Sequence, residues 1–155
     1  PWRPSSMMRC TDCHNSDQAG NPLTTQGPHG SIYVPLLIAN YTTRDFTTES
    51  PQAYALCYRC HDRTSILGDQ SFQLHNRHVV RGRAPCAACH DSHGISRLQG
   101  NSTNHSTLIN FDVAIVQPAT GGLGTRIVYE DRGPRRGTCT LTCHGVVHVN
   151  FEYGG

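Results

Sequence analysis

Four cysteine pairs, each followed directly by a histidine, constrain this chain more than any other feature. Three pairs have the spacing C-x-x-C-H, and the fourth has one more residue between its cysteines, C-x-x-x-C-H. Together they use all eight cysteines of the chain. In chain order they are motif 1 (Cys10, Cys13, His14), motif 2 (Cys57, Cys60, His61), motif 3 (Cys86, Cys89, His90) and motif 4 (Cys139, Cys143, His144).

The C-x-x-C-H spacing is the attachment signal for a c-type haem. The two thiols add to the two vinyl groups of one porphyrin, and the next residue supplies an imidazole to the iron. Histidine makes up 10 of the 155 residues, so four trailing histidines by chance have a probability on the order of 10⁻⁵. We therefore predict four covalently attached c-type haems, with the extra residue of motif 4 forming a bulge.

Paired cysteines also occur in three kinds of site that fit this sequence less well. A disulfide scaffold needs an even number of cysteines, and zinc sites use C-x-x-C pairs. Neither of these requires a histidine after each pair. A thioredoxin-like redox pair needs a single C-x-x-C in a βαβ setting, and the sequence shows no such unit. The trailing histidines therefore favour haem.

Six histidines outside the motifs are candidates for the second axial ligand of each iron. Four irons need four such ligands and the chain has only two methionines, so histidine on both sides of each iron is the simplest assignment. His75 and His78 lie three residues apart, a spacing suited to two different irons. The order of preference is His29, His75, His78 and His148, then His93, and last His105.

An iron with two histidine ligands has no open coordination position and lacks the potential-raising effect of a methionine ligand. Substrate does not bind to such an iron. The sequence therefore predicts electron transfer at low potential, in a protein that is not an enzyme. The protein would contribute placement, ligands and local polarity, while the redox chemistry belongs to the haem.

The composition predicts a loop-rich fold. Four haems leave about 39 residues for each. Apolar residues make up only 36% of the chain, and there are 15 glycines and 9 prolines. We expect one tetrahaem cytochrome c domain over residues 1–155, mostly irregular with short α-helices and a small β-hairpin. The chain would wrap around a row of four haems, which form most of the core.

Local patterns predict where the regular elements lie. A serine followed by a proline is typical of a helix start, which predicts a helix over Ser50–His61. Residues 71–80 favour a second short helix. Alternating apolar residues over 107–116 and 126–131, separated by a glycine-rich turn at 121–124, predict the β-hairpin.

Charge and hydropathy bear on partners and location. The net charge of +2 is too small to indicate nucleic acid binding, and no apolar run approaches the roughly 18 residues of a membrane span. Haem is attached to C-x-x-C-H after export in bacteria and archaea. We therefore expect a mature, exported chain at the cell surface or outside the cell, with the periplasm as the other location.

The chain resembles the paired C-x-x-C-H multihaem cytochromes c of metal-reducing bacteria. Among these it is most similar to the small tetrahaem outer-surface cytochromes, some of which polymerise into conducting filaments (nanowires). The residues that carry the resemblance are Ala55–Gly94, Gly27–Ser31, His105 with Leu108–Asp112, and Cys139–Gly145. Motif 4 departs from the family pattern, and so does Thr107, where a ligand histidine is expected.

The resemblance implies a continuous row of haems in stacked and T-shaped pairs, with a distal histidine lent by a neighbouring subunit. It also implies head-to-tail homopolymers, and it implies other multihaem cytochromes and extracellular electron acceptors as partners. Two further functions stay open. One is the electron-input or catalytic subunit of a multihaem reductase with one open haem, which the supply of histidines disfavours. The second is a haem-storage or structural polymer.

Overall fold

The structure is a computed structural model that describes residues 6–24, 26–95, 106–120 and 126–154. The chain divides into two compact units. Unit 1 comprises Pro1–Thr42 and Thr48–Thr64, and unit 2 comprises Thr43–Thr47 and Ser65–Gly155. Motifs 1 and 2 therefore belong to unit 1, and motifs 3 and 4 belong to unit 2. That residues 1–155 form one tetrahaem domain stays a prediction.

Short elements account for all the helical structure among the described residues. The α-helices are α1 (Cys10–Cys13), α2 (Ala55–Tyr58) and α3 (Arg63–Leu67). A π-helical turn covers Asn76–Arg81, and two 3₁₀ turns cover Cys86–Ala88 and Ser106–Leu108. Helices this short are not stable in isolation. Their conformation therefore depends on what packs against them.

Unit 2 contains a four-stranded antiparallel sheet built around its third strand. The strands are β1 (Val116–Gln117), β2 (Val128–Asp131), β3 (Gly137–Cys143) and β4 (Val146–Tyr153). β3 pairs with each of the other three. Val116, Tyr129 and Leu141 are buried side chains of this sheet.

Buried threonines distinguish β3 from an ordinary apolar strand. Thr138 and Thr140 are both buried, and each hydroxyl has a partner: Thr138 donates to Glu130 at 3.3 Å and Thr140 to Asn150 at 3.1 Å. A buried hydroxyl is tolerated when its hydrogen bond is made. The sheet therefore accommodates a strand whose odd-numbered positions carry the cysteines of motif 4.

The predicted β-hairpin is wrong in its pairing. Of the first predicted strand, 107–116, only Val116 lies in a strand. With Gln117 it forms β1, which pairs with β3 instead of with the second predicted strand, β2. The reason is that β3 offers a longer partner with backbone groups on both edges. The predicted turn at 121–124 lies outside the described residues.

The two predicted helices are both shorter than expected. Ser50 does cap a turn, since its Oγ accepts the Ala53 N–H at 3.0 Å, but the helix itself is only Ala55–Tyr58. The helix expected within 71–80 is the π-helical turn over Asn76–Arg81, entered through His75. The coarser expectation of a loop-rich chain with short helices and a small sheet is confirmed. In the part of the chain that is described, no helix has the length and apolarity needed to cross a membrane.

Candidate functional site

Motifs 1, 2 and 3 share one local conformation. In each, the backbone N–H of the histidine donates to the carbonyl of the first cysteine, at 2.7 Å for His14, 3.0 Å for His61 and 2.9 Å for His90. This hydrogen bond closes a single helical turn. It places both cysteines on the same side, with their Cβ atoms about 5–6 Å apart. Two thiols so placed are able to reach one planar cofactor together.

Two of the motif histidines, His14 and His90, use the same ring nitrogen, Nδ1, as a hydrogen-bond donor. Nδ1 of His14 donates to the carbonyl of Pro35 at 3.3 Å, and Nδ1 of His90 donates to the carbonyl of Thr107 at 2.9 Å. A carbonyl only accepts, so Nδ1 carries the proton, and the lone pair of the neutral ring is on Nε2. Metal-bound histidines are typically oriented by this kind of hydrogen bond. Thr107, where the resemblance led us to expect a ligand, thus supports His90 through its backbone.

The chain segments that hold motifs 1 and 3 follow the same backbone pattern. In each motif, a backbone carbonyl accepts the hydrogen bond from Nδ1 of the histidine. The backbone N–H three residues further along donates to the carbonyl of the second cysteine at 2.9 Å. The donor is Ile38 to Cys13 in motif 1, and Asn110 to Cys89 in motif 3. Each pairing fixes both the end of the turn and the histidine ring. The geometry of the two motifs is therefore set by a distant segment as well as by the local spacing.

The cysteines of motif 1 lie near those of motif 2, and the cysteines of motif 3 lie near those of motif 4. Burial raises the pKa of Cys13, and the nearby thiols of Cys60 and Cys57 raise it further. Burial likewise raises the pKa of Cys89 to about 12, with further contributions from Cys139 and Cys143. Motifs 1 and 2 are thus neighbours within unit 1, and motifs 3 and 4 within unit 2. No disulfide joins any of the eight cysteines.

Motif 4 has a different conformation from the other three. Its cysteines lie on the extended strand β3, where four residues span about 13 Å. We expected the extra residue of motif 4 to form a bulge, but β3 itself has none. The register shift falls opposite Cys139–Leu141 and is taken up by β4, where Asn150 has a φ of +45°. His144 follows in the two-residue turn to β4 and not in a helical turn.

Four imidazoles of unit 2 form a cluster around Phe72, which we call the imidazole cluster. The ring centres of His75 and His90 lie 6.4 Å apart, and those of His78 and His148 also lie 6.4 Å apart. Phe72 contacts one member of each pair, with its ring centre 5.2 Å from that of His75 and 5.8 Å from that of His78. Three of the four preferred distal candidates are therefore brought together with one motif histidine.

Two rings of the imidazole cluster, those of His75 and His148, favour the neutral form. Burial lowers the pKa of His75 to about 4, and the neighbouring His90 and His78 add to this effect. Burial also lowers the pKa of His148, followed by His78 and Arg77. A neutral imidazole has the lone pair that a metal ligand needs. At neutral pH these side chains are therefore able to bind iron without first losing a proton.

The remaining candidates are scattered. His29 is exposed and lines a shallow cavity of unit 1 with Ser16 and Asp17. His93 is exposed in the turn after motif 3, where its backbone N–H donates to Asp91. His105 lies outside the described residues. Within unit 1, His29 is the one histidine that does not belong to a motif.

Two supporting residues, Phe72 and Glu49, were not predicted from the sequence. Phe72 contacts one histidine of each pair, and Glu49 forms hydrogen bonds that stabilise the surroundings of motif 2. Glu49 accepts a hydrogen bond from Tyr58 at 3.0 Å and two from Arg63 at 2.9 and 2.6 Å. Tyr58 lies within motif 2 and Arg63 two residues after it. Glu49 was missed because its partners are 9 and 14 residues away, and Phe72 because no local pattern distinguishes it from an ordinary apolar residue.

No group of three or more His, Cys, Asp or Glu side chains within the described ranges is arranged to hold a bare metal ion. A haem iron needs only two axial ligands from the protein, because the porphyrin supplies the other four. The turns of motifs 1 to 3 and the histidine pair of motif 3 suit such a cofactor, whereas motif 4 differs. Comparisons with protein-family models, curated proteins and solved structures found no match for this chain.

Proposed function

We propose that this chain is an electron-transfer protein carrying four covalently attached c-type haems, whose irons have histidine on both sides. The observation that carries the proposal is the pair His75 and His90. Two imidazoles on opposite sides of one metal, each at a metal–nitrogen distance of about 2 Å, have ring centres about 6 Å apart. The ring centres of His75 and His90 are 6.4 Å apart, and His90 follows the two cysteines of motif 3.

The protein's own residues perform three tasks in this proposal. Both cysteines of motifs 1 to 3 and one cysteine of motif 4 would anchor a porphyrin, the trailing histidine of motifs 1 to 3 would bind its iron, and backbone carbonyls such as those of Pro35 and Thr107 would fix the histidine rings. A bound haem iron takes up and releases one electron between its ferric and ferrous states. The histidine pairs fill the position at which a substrate would otherwise bind, so the same residues that tune the iron also exclude catalysis.

In this proposal, the two histidine pairs of the imidazole cluster would hold two irons within unit 2. His75 and His78 belong to one stretch of chain and both contact Phe72, so irons bound to them would be near one another. Short separation favours rapid electron transfer between the two haems of this unit. The row of four haems implied by the family resemblance is part of the same proposal.

One observation favours the reductase alternative for unit 1. This unit holds the motif histidines His14 and His61 but only His29 as a further imidazole. One iron of the unit therefore lacks a second histidine from the same unit. The family resemblance implies that a neighbouring copy lends the missing ligand, whereas in a reductase this iron would stay open for substrate.

Mass and spectra of the purified holoprotein test the proposal. We expect an intact mass above that of the polypeptide by four haem masses, a low-spin spectrum, and no binding of carbon monoxide by the reduced protein. The bare polypeptide mass would refute haem attachment altogether. Four haems with stoichiometric carbon monoxide binding at one of them would instead favour the reductase.

The proposal extends to an extracellular filament of head-to-tail copies, which would pass electrons to other multihaem cytochromes and to extracellular acceptors. Several apolar side chains of β4 are exposed: Val146, Val147, Val149 and Phe151. Exposed apolar surface of this kind is often an interaction site, and a head-to-tail contact that does not close propagates as a filament. Negative-stain microscopy of native material should show filaments. Uniform particles the size of a single chain with its four haems would refute assembly but leave electron transfer intact.

A further inference from the structure

The His144 ring is held away from the position that its place in motif 4 would predict. His144 and Gly145 form the turn between β3 and β4, with φ values of +49° and +75°, and the flanking residues Cys143 and Val146 are paired. Positive φ at both central residues is the geometry of a type I′ hairpin turn. The turn directs the chain back along β3 immediately after the second cysteine.

Two contacts fix the imidazole in this position. Nε2 of His144 is hydrogen bonded to Oδ1 of Asp45 at 2.8 Å. The ring also stacks on Phe46, with ring centres 4.3 Å apart and planes 18° apart. In His14 and His90 it is Nδ1 that donates to a carbonyl, which places the lone pair of the neutral ring on Nε2. In His144 the nitrogen that would bind iron is the one already in use.

His148 is placed where a ligand for motif 4 is needed. Side chains alternate between the faces of a strand, so Cys139, Leu141 and Cys143 share one face of β3. His148 is the register partner of Leu141 on β4, and directly opposed residues project from the same face. A porphyrin attached to either cysteine of motif 4 would lie on the sheet face that carries His148.

His78 completes a ligand pair with His148. Nδ1 of His78 donates to the carbonyl of Leu74 at 2.8 Å, the same arrangement as in His14 and His90, and it leaves Nε2 with its lone pair. The ring centres of His78 and His148 are 6.4 Å apart. This equals the separation of His75 and His90 and suits two ligands on one iron.

We infer that the iron of the haem attached at motif 4 is bound by His78 and His148, and that His144 has a structural role in the turn. The inference rests on the proposed haem content. In chemical terms, the thiol anchors the porphyrin from β3 while the axial imidazole comes from β4. The residue that follows the second cysteine is thereby released to hold Asp45 and Phe46 against the turn.

Alanine and methionine variants of His144 and His148 test the inference in the holoprotein. We expect His148→Ala to keep four haems by mass but to convert one iron to a high-spin form that binds about one carbon monoxide per chain when reduced. His144→Ala should keep four low-spin haems and bind none. His148→Met should restore a six-coordinate iron with a raised reduction potential, whereas His144→Met should leave all four potentials unchanged.

Several results would overturn the inference. A carbon monoxide-binding haem in His144→Ala with an unchanged spectrum in His148→Ala would assign the iron to His144. Loss of one haem in His144→Ala but not in His148→Ala would do the same. Absence of covalent haem from the unmodified protein would refute the proposed function together with this inference. Four haems in the unmodified protein with either of the first two results would refute the inference alone.

Discussion

Glu49 and Arg63 form a two-point ion pair that brackets motif 2. Nε of Arg63 donates to one carboxylate oxygen of Glu49 at 2.9 Å, and Nη2 donates to the other at 2.6 Å. The carboxylate side chain is only 6% exposed, whereas the guanidinium is 40% exposed. The hydrogen bonds from Arg63 hold the pKa of Glu49 below its usual value of 4.5. The charged form of Glu49 therefore stabilises the chain around Cys57–His61.

This pair predicts a pH-dependent effect of Glu49→Gln. A carboxyl whose folded-state pKa is depressed stabilises the fold above its unfolded pKa and loses that contribution as the pH falls through the folded value. We therefore expect the Tm of the variant to lie below that of the native protein at neutral pH. The difference should shrink once the pH falls below about 4.5. Thermal unfolding followed at several pH values measures it.

Glu130→Gln is the matched control for this prediction. Glu130 and Arg132 are 3.4 Å apart but about half exposed, and exposed pairs contribute little to stability. Its Tm should follow that of the native protein across the pH range, because the glutamine amide oxygen still accepts the hydrogen bond that the Thr138 hydroxyl donates to Glu130. A Tm difference in Glu49→Gln that is equally large at pH 3 and pH 7 would contradict the assignment of the effect to the ionised carboxylate.

Substitution of Gly137 by alanine tests the pairing of the sheet that carries motif 4. A Cβ at this position would lie 2.7 Å from the backbone carbonyl of Glu130 and 2.5 Å from the hydroxyl of Tyr153. The carbonyl belongs to the paired strand β2 and cannot move without breaking the register. We expect Gly137→Ala to destabilise unit 2 by about 1–3 kcal/mol, the usual cost of overpacking, as measured by denaturant unfolding.

Gly30→Ala serves as the control for Gly137→Ala. A Cβ at Gly30 would meet no atom within 4 Å, and its φ is not in the left-handed region. Its stability should be unchanged or slightly raised, because alanine reduces the freedom of the unfolded chain. Equal stability of the two variants would show that β2 and β3 do not pair as described.

Local features of the structure were the most predictable from the sequence. The spacing of the C-x-x-C-H motifs is compatible with a single helical turn, and three motifs adopt that turn. The three-residue spacing of His75 and His78 predicted that they would serve different irons. That they bind different irons stays a prediction; in the structure the His75 ring lies beside His90 and the His78 ring beside His148.

Features that depend on distant partners were not predictable in the same way. Residues 137–143 were interpreted only as a haem motif, although alternating threonines also favour a strand. That strand is the partner of both predicted hairpin strands. The pair His144-Gly145 likewise fits a two-residue hairpin turn, since histidine and glycine both tolerate a positive φ. The turn was not predicted because the same segment also fits the haem-attachment motif, and His144 was assigned to that motif.

The extended conformation of motif 4 predicts that only one of its thiols bonds to haem. The cysteines of the other motifs lie about 5–6 Å apart, whereas Cys139 and Cys143 are separated by about 13 Å along β3. One porphyrin that suits the shorter spacing does not reach both. After reduction and denaturation of the holoprotein, iodoacetamide should therefore modify one thiol per chain. All remaining cysteines should be blocked as thioethers.

Serine variants of the two cysteines identify the bonded one. Of Cys139→Ser and Cys143→Ser, one should keep four haems and lose the alkylated thiol, and the other should lose a haem mass. A different result would show that β3 rearranges to a compact turn when haem is attached. In that case each serine variant would lose one thioether but keep its haem, and the unmodified protein would not be alkylated.

A His75→Ala variant directly tests whether the iron of motif 3 has histidine on both sides, because the His75 ring lies beside His90. Removing the His75 imidazole leaves the iron of motif 3 with His90 alone, because the neighbouring Phe72 has no ligand atom. We expect His75→Ala to keep four haems by mass, to show one high-spin iron, and to bind about one carbon monoxide per chain when reduced. His93→Ala is the control, since His93 is exposed beyond motif 3 and should bind none. Carbon monoxide binding in His93→Ala but not in His75→Ala would move the distal ligand of motif 3 from His75 to His93.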